Sequence, residues 1–190
     1  IVVDNGSTDL SATVARAAGA RVVDQPNRGY GNAYLKGFSV AKGRIVIMGD
    51  ADNSYDFTAI PALVEPISQG YEYVLGSRFS GRIEDDAMTW SHRWIGNPAL
   101  TKLLNVLFGL RVSDAHSGFR AITKTALDRL GLECEGMEFA SEMVVKAARS
   151  NLRTQEVPII YYPRIGRSKL NTFRDGWRHL RYLIRQWRQA

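Results

Sequence analysis

The chain has few of the residues that mark several specialised protein classes. Its 190 residues include one cysteine, Cys134, which excludes an internal disulfide and offers no spacing for a cysteine-ligated metal. No stretch approaches the roughly 18 apolar residues that span a bilayer, and no signal peptide is recognisable. Three histidines are present, and His116 has no partner at metal-ligand spacing, so we expect an ordinary loop histidine there. Contents of 45% hydrophobic and 23% charged residues are typical of a globular domain.

Charge is unevenly distributed along the chain. The formal net charge is +6, from 25 basic and 19 acidic side chains. Residues 164–190 hold eight of the basic side chains and a single acid, Asp175, which leaves 17 basic and 18 acidic side chains in residues 1–163. The body is therefore close to neutral and the tail is cationic. This pattern indicates an anionic partner for the tail: a lipid surface, phosphate or nucleic acid.

Strand and helix patterns alternate in the first half of the chain. An opening strand at residues 1–4 is followed by predicted helices at 10–18, 29–41 and 59–67 and by strands at 21–24, 44–48 and 71–75. Repeated βα units with short connections predict an α/β fold with a mostly parallel sheet covered by helices. Because the sequence opens within a strand pattern, we expect a further N-terminal strand before Ile1.

The second half has a less regular pattern. Residues 81–89 are polar and predict a loop, while Asn97-Pro98 predicts the start of a helix that is apolar on almost every side. Such a helix is either deeply buried or faces an apolar partner outside the chain. Further predictions are a strand at 118–122, a helix at 138–148 and a strand at 154–162 interrupted at Pro158. We therefore divide the chain into one α/β domain, residues 1–170, and a C-terminal helix, residues 171–190.

Two carboxylates follow the third predicted strand. Asp50 and Asp52 come directly after Ile45–Met48 and Gly49, and their i, i+2 spacing on an extended chain turns both to the same side. Two hard oxygen ligands suit Mg2+ or Mn2+, and open α/β sheets bind ligands at the carboxyl ends of their strands. A solvated acidic turn is the alternative, because aspartate and asparagine favour turns.

The C-terminal helix carries two stripes of residues. The apolar residues are spaced 4, 3, 4 and 3 apart, and arginines follow one position later. A helix lying in a membrane interface has this arrangement, with aromatic rings at the acyl boundary and arginines at the headgroups. Alternatively, the helix docks its apolar stripe on the domain and leaves its charges in solvent. The stripes are Phe173, Trp177, Leu180, Ile184 and Trp187, and Arg174, Arg178, Arg181, Arg185 and Arg188.

Five short segments carry most of the polar residues of interest. They are VDNGSTD at 3–9, GDAD at 49–52, GSR at 76–78, DAHSGFR at 114–120 and RIGRSK at 164–169. Their order and spacing resemble the family 2 glycosyltransferases of GT-A fold, nearly end to end. The SGFR and GRSK segments are similar to the dolichyl-phosphate mannosyltransferase branch, which moves a sugar from a nucleotide to a polyprenyl phosphate. The resemblance implies a Rossmann-like domain, a nucleotide-sugar donor and a divalent metal.

The resemblance also implies roles for individual residues. Asp4 would contact the nucleoside of the donor, and Asp50 and Asp52 would hold the metal that bridges its diphosphate. Ser54 stands where close relatives often have an amide, so water is expected to complete the metal shell. Phosphate oxygens of donor or acceptor would be gathered by Arg78, Ser117 and Arg120, and the C-terminal loop would close over the diphosphate with Arg164 and Lys169. The implied catalytic set is Asp52, Arg78 and Arg120.

These features predict a metal-dependent inverting transferase that moves a hexose from a GDP- or UDP-sugar to a polyprenyl phosphate. We expect it at the cytoplasmic face of the cell membrane, held peripherally by the C-terminal helix or within a longer anchored protein. A phosphate acceptor is already anionic and needs no general base. A saccharide hydroxyl, the alternative acceptor, needs a carboxylate such as Asp114, Glu138 or Glu142. For the two glutamates, an exposed acidic face or an ion pair with Lys146 is the competing interpretation.

A basic binding module without catalysis is the alternative from another class. Its tail would contact lipid or nucleic acid, although the neutral body and the lack of a recognised motif argue against nucleic acid. A structural fragment without activity of its own is also left open, because part of the donor pocket is expected before Ile1.

Overall fold

Helices and strands alternate along the chain in the computed structural model, which describes residues 1–166 and 172–189. The strands are β1 (Val2–Asp4), β2 (Val22–Asp24), β3 (Ile45–Met48), β4 (Tyr73–Ile83), β5 (Arg120–Thr123) and β6 (Thr154–Tyr161). The helices are α1 (Ser11–Ala17), α2 (Tyr30–Val40), α3 (Ile60–Ser68), α4 (Asn97–Phe108), α5 (Lys124–Leu130), α6 (Phe139–Arg149) and α7 (Thr172–Trp187). A 3-10 turn (Phe57–Ala59) precedes α3, and a π-helical turn (His92–Gly96) leads into α4. The predicted α/β class is confirmed.

The strands form two sheets. β1 and β2 pair in parallel, and a four-stranded sheet has the order β3-β5-β4-β6. β5 runs antiparallel to both β3 and β4, whereas β4 and β6 are parallel. Three of the four strands therefore share one direction, and β5 is the exception to the parallel pattern. All three helices predicted in the first half are present, with bounds that differ by one residue at each end.

The larger sheet separates two hydrophobic layers. Along β4, Tyr73 and Leu75 belong to the layer under α2, α4, α6 and α7, while Val74 between them belongs to the layer under α3. Neighbouring side chains of a strand point to opposite faces, so a continuous apolar run is the expected sequence of a strand buried on both sides. The same alternation occurs in β5, where Ala121 and Ile122 face opposite layers.

The second half departs from the sequence pattern in three places. β4 continues to Ile83, although the polar residues 81–89 predicted a loop over that whole range. β6 runs through Pro158, because an edge strand tolerates proline, although its register with β4 shifts directly after the Ser77–Pro158 pair. α5 was not predicted, although Thr123 accepts a hydrogen bond from Ala126 N as its N-cap and Gly131 ends it in a left-handed conformation.

The apolar helix predicted after Asn97 is buried on one face only. In α4, Leu104 is fully buried, whereas Val106 is 73% exposed. α4 packs against α6 and α7, and its mixed exposure means that part of its apolar surface contacts solvent. No helix in the described part of the chain combines the length and apolar character needed to cross a bilayer.

α7 docks on the domain through a face that carries both polar and apolar residues, and its tryptophans lie on another face. Asp175, His179 and Leu183 are buried against α4 and α6. The opposite face exposes Trp177 (62%) and Trp187 (55%) beside the arginines. The alternative that the apolar stripe packs on the domain is therefore wrong for Trp177 and Trp187, whereas Leu180 is partly buried. The side chain of Phe173 lies outside the described residues.

The docking face of α7 predicts a contrast between two adjacent residues. Leu183→Ala empties a fully buried position and should lower the free energy of unfolding by about 2–5 kcal/mol. Ile184→Ala, on the outward face, is the matched control and should cost less than about 1 kcal/mol. Urea denaturation followed by circular dichroism measures both. Equal losses in the two variants would show that α7 docks in another orientation.

Candidate active site

The paired carboxylates lie in the loop that follows β3. Gly49 leaves room for the ring of Phe57, because a Cβ there would lie 2.5 Å from Phe57 Cε1. Asp50 accepts a 2.7 Å hydrogen bond from Tyr34 Oη through Oδ1. Asp52 Oδ1 accepts from the backbone N–H of Ser54 at 3.1 Å and from its hydroxyl. The two carboxylates are thus held by different partners at the carboxyl end of one strand.

Asp50 is a partly buried carboxylate with charges of both signs nearby, those of Asp52 and Arg164. Burial raises its pKa, the Tyr34 hydrogen bond lowers it, and the neighbouring Asp52 charge raises it again. Burial also raises the pKa of Tyr30 and Tyr34 well above the usual 10, so both phenols keep their protons and donate. A cation close to Asp50 and Asp52 would relieve this accumulation of negative charge. The donor set therefore fits a hard divalent cation.

The loop after β1 carries Asp4 and is tied to the start of α2. Asp4 Oδ1 accepts from Ser7 N at 2.9 Å, and hydrogen bonds from Ser7 lower the pKa of this carboxyl. Asn5, which the sequence did not single out, accepts from Gly29 N at 2.9 Å and donates to Gln25 O and Asn27 O at 2.9 and 2.8 Å. A single amide therefore joins the two loops that border this side of the site.

Arg78 is engaged in a buried ion pair. Its Nε and Nη2 donate to the two carboxylate oxygens of Asp114 at 2.6 and 2.8 Å, and its backbone N–H donates to Asp114 at 3.0 Å. The guanidinium also lies over the ring of Tyr161, 5.1 Å from the centroid. Burial opposes ionisation of Asp114, but the Arg78 charge outweighs it and lowers the pKa. Phosphate binding by Arg78 stays a prediction that requires this pair to open.

Arg120 is almost fully enclosed by protein, with 1% of its surface exposed. Its guanidinium donates to Ser117 O, Ala115 O and Ala140 O at 2.7, 2.9 and 3.1 Å and to Tyr73 Oη at 2.8 Å. Ser117 is completely buried as well. The gathering of phosphate oxygens by Arg120 and Ser117 stays a prediction, and in this structure the Arg120 guanidinium holds the loop at residues 114–118 in place.

The C-terminal loop contacts Asp52 through two neighbouring residues. Arg164 Nη2 lies 3.4 Å from Asp52 Oδ2, and Ile165 N donates to the backbone oxygen of Asp52 at 2.8 Å. The structure therefore brings Arg164 to the carboxylate pair, as the predicted phosphate-closing role requires. Lys169, the other predicted member of this loop, lies outside the described residues.

The three candidate bases have different surroundings. Asp114 is paired with Arg78, and Glu142 accepts from Glu133 N and Cys134 N and from Lys146 Nζ at 2.8 Å. Glu142 therefore follows the ion-pair interpretation. Glu138 differs, because its Oε2 is buried and finds no hydrogen-bond partner among the described residues. Of the three, Glu138 alone presents an uncommitted carboxylate oxygen.

A buried chain of polar side chains joins the loop at residues 114–118 to α7. His116 Nε2 and His179 Nδ1 lie 3.1 and 2.8 Å from the hydroxyl of Ser141, and the two rings meet edge to face at 4.9 Å. His116 is therefore more than an ordinary loop histidine, which its lack of a metal-spaced partner had suggested. Burial lowers the pKa of His116 well below its usual value and that of His179 to about 4.

Comparison with known sequences identifies the group of proteins to which this site belongs. The sequence model of "Glycosyl transferase family 2" matches residues 1–131, more than two thirds of the chain. The chain belongs to glycosyl transferase family 2.

Within the described residues, no group of three or more His, Cys, Asp or Glu side chains could hold a metal. Further ligands of a cation at Asp50 and Asp52 would be of other kinds, such as backbone or hydroxyl oxygens, substrate or water.

Curated relatives of this family 2 chain include several archaeal proteins. "Low-salt glycan biosynthesis hexosyltransferase Agl6" of Haloferax volcanii is 43% identical over 97% of the chain and 45% of its own length. "Glycosyltransferase AglJ" and a "Dolichyl-phosphate hexose transferase" of the same organism are 34% and 31% identical over 93% of the chain. The chain spans 58% of the second relative and 75% of the third. It therefore covers only about half of the first two relatives.

Solved structures share the fold of this family 2 chain. Glucosyl-3-phosphoglycerate synthase from Mycobacterium tuberculosis, in complex with phosphoglyceric acid, has a TM-score of 0.75 at 22% identity over 97% of this chain and 67% of its own. A complex of the same enzyme with Mn2+, UDP-glucose and phosphoglyceric acid has a TM-score of 0.74 at 21% identity, over 97% of this chain and 67% of its own. At this identity the similarity establishes the fold, and the predicted GT-A fold is confirmed.

The neutral imidazole of His179 predicts a loss of stability in mild acid. An unfolded histidine titrates near 6.5, whereas His179 in the folded protein titrates at about 4. Between these values the unfolded chain binds a proton that the folded chain does not, so stability falls as the pH decreases. The contribution is at most about 3 kcal/mol. His179→Asn should flatten the dependence of the unfolding free energy between pH 7 and 4.5.

Urea denaturation at several pH values measures this difference between wild type and variant. Asp and Glu residues also destabilise the protein in acid, but they affect both proteins alike. Parallel curves for wild type and His179→Asn would show that His179 is not held neutral by the fold.

Proposed function

We propose that this family 2 protein transfers a hexose from a nucleotide sugar to a polyprenyl phosphate at a membrane surface, with inversion and with Mg2+ or Mn2+. The observation that carries the proposal is the pair Asp50 and Asp52 at the carboxyl end of β3, with the Arg164 guanidinium beside Asp52. The printed name of one relative, a dolichyl-phosphate hexose transferase, supports the acceptor class. Two solved structures of one enzyme of the same fold contain UDP-glucose with Mn2+, which supports the donor.

The donor half of the reaction is assigned to the loop after β3. Asp50 and Asp52 would hold the divalent cation, which when bound stabilises the negative charge that develops on the diphosphate leaving group. Arg164 lies at the same carboxylates and would bind diphosphate oxygens with its planar fork. Lys169 would add a second positive charge from the same loop. Asp4, at the end of β1, would face the nucleoside.

The acceptor half is assigned to a phosphate, since two of the three carboxylates that could act as base for a hydroxyl acceptor are engaged elsewhere. Asp114 and Glu142 are committed to ion pairs and backbone hydrogen bonds, so neither carboxylate is free to remove a proton. A phosphate oxygen is already anionic and attacks without a base. In the step, this oxygen bonds to the anomeric carbon while the bond to the nucleoside diphosphate breaks and its electron pair leaves with the diphosphate. Attack from the opposite side inverts the anomeric centre.

The outward face of α7 would hold the protein on the membrane. Trp177 and Trp187 are 62% and 55% exposed there, and Arg181 and Arg185 lie exposed beside them. Tryptophan favours the interface between acyl chains and headgroups, and each arginine near an anionic surface contributes about 1 kcal/mol of attraction. Because the inward face holds the helix on the domain, this surface is available for lipid. This face supports a peripheral position at a membrane surface, and we propose the cytoplasmic side.

One observation favours a second candidate, transfer to a saccharide hydroxyl. Such an acceptor requires a general base, and Glu138 Oε2 is buried with no hydrogen-bond partner among the described residues. Glu138 directly precedes Phe139, whose ring stacks on that of Tyr34 at 5.7 Å, and Tyr34 donates to Asp50. Glu138 is therefore adjacent in sequence to a residue that packs on a side chain of the proposed donor site.

An acceptor assay distinguishes these functions. The protein is incubated with Mn2+, a polyprenyl phosphate or a saccharide, and labelled GDP- and UDP-hexoses. We expect a lipid-linked product with wild type and at least about a 100-fold loss with Asp52→Asn, which removes a metal-binding charge. Asp86→Asn, the same change on an exposed loop, is the control. Transfer to the saccharide alone, abolished by Glu138→Gln, would reject the phosphate acceptor; donor binding without transfer to either would reject the reaction.

Vesicle binding tests the proposed membrane surface. The double variant Arg181→Gln/Arg185→Gln should bind vesicles containing phosphatidylserine about 30-fold more weakly, since two arginines contribute about 2 kcal/mol. Arg44→Gln/Arg111→Gln removes the same charge from exposed positions elsewhere and should bind like wild type. Co-sedimentation measures the affinity. Equal weakening in both double variants would indicate a general charge effect, and salt-sensitive binding to DNA without vesicle binding would favour the nucleic-acid module.

A further inference from the structure

Two tyrosines of α2 approach the carboxylate of Asp50. Tyr30 and Tyr34 are four residues apart and lie on one face of the helix. Tyr34 Oη donates to Asp50 Oδ1 at 2.7 Å. A Cβ on Gly118 would lie 2.7 Å from Asp50 Oδ2 and 3.1 Å from Tyr30 Oη, which places both groups at one point of the loop. Asp50, Tyr30 and Gly118 therefore meet in one small, partly buried space.

Aromatic packing fixes the positions of the two tyrosine rings. The ring of Tyr34 stacks on Phe139 of α6, with centroids 5.7 Å apart and planes 5° from parallel. Tyr30 meets Tyr34 edge to face at 4.9 Å and Phe139 at 6.3 Å. Phe139 is completely buried. The position of each phenol oxygen is thus set by the packing of α2 on α6.

A phenol is a suitable partner for a carboxylate that must also bind a cation. It donates one hydrogen bond and fixes the plane of the carboxylate, but it carries no charge that would neutralise it. An arginine or lysine in the same place would compensate the negative charge, as Arg78 does for Asp114. Groups that orient a metal ligand typically change metal affinity 10- to 100-fold when they are removed.

We propose that Tyr34, supported by Tyr30, is a positioning residue for Asp50 and so sets the affinity of the site for Mn2+ or Mg2+. This inference rests on the proposed function, because it takes Asp50 as a metal ligand. Sequence reasoning did not single out either tyrosine. Their i, i+4 spacing at the start of α2 is the signal that could have identified them.

Calorimetric titration of Mn2+ in the presence of saturating UDP or GDP tests the proposal. Tyr34→Phe keeps the ring and removes the donor, so we expect the Mn2+ dissociation constant to rise about tenfold. Nucleotide affinity measured in EDTA should not change. A general structural defect would instead weaken nucleotide binding as well. Tyr182→Phe is the matched control, because its hydroxyl is buried without a hydrogen-bond partner among the described residues. Its Mn2+ affinity should equal that of wild type.

Each outcome decides the inference. An unchanged Mn2+ dissociation constant in Tyr34→Phe overturns it and leaves the proposed function standing. Wild type that binds nucleotide but no Mn2+ overturns both the metal assignment and this inference. If thermal denaturation shows that Tyr34→Phe does not fold, Tyr30→Phe decides instead: a severalfold weaker Mn2+ affinity supports the proposal, and wild-type affinity overturns it.

Discussion

The buried guanidinium of Arg120 is the interaction on which the candidate active site depends. Burying a charge is costly unless its N–H groups find partners, and here they donate to Ser117 O, Ala115 O, Ala140 O and Tyr73 Oη. Four donations from one rigid fork hold the loop at residues 114–118 between β4 and α6. That loop then presents Gly118 to Asp50, Asp114 to Arg78 and His116 to Ser141.

Two aspartates show how environment separates chemical roles. Asp114 is paired with the full charge of Arg78, which lowers its pKa and commits it to structure. Asp50 is partly buried and accepts a neutral hydrogen bond from Tyr34, and burial raises its pKa although Arg164 lies near the carboxylate pair. One carboxylate is already compensated, whereas the other still attracts a cation. The same difference makes Asp114 a poor base and Asp50 a good ligand position.

Much of the fold follows from the sequence because its periodic patterns depend on local geometry. The apolar run Ile45–Met48 predicts a strand buried on both faces, and the structure has that strand directly before Asp50 and Asp52, the predicted metal ligands. The sequence carried less information about the surroundings of the basic residues within the motifs. Arg78 and Arg120 were assigned to phosphate, since a sequence does not show whether an arginine faces solvent or a buried partner. The aromatic stripe of α7 was predicted, but the face that docks on the domain was not.

The sequence by itself determined the α/β class, the family and the position of the carboxylate pair, because these depend on periodicity and on short contiguous motifs. Tertiary structure alone decided that β5 runs against its neighbours, that Arg78 pairs with Asp114, and that Tyr34 holds Asp50. Each of these joins residues 16 to 78 positions apart. Contacts at such separations are selected by the packing of the whole core, which no local pattern records.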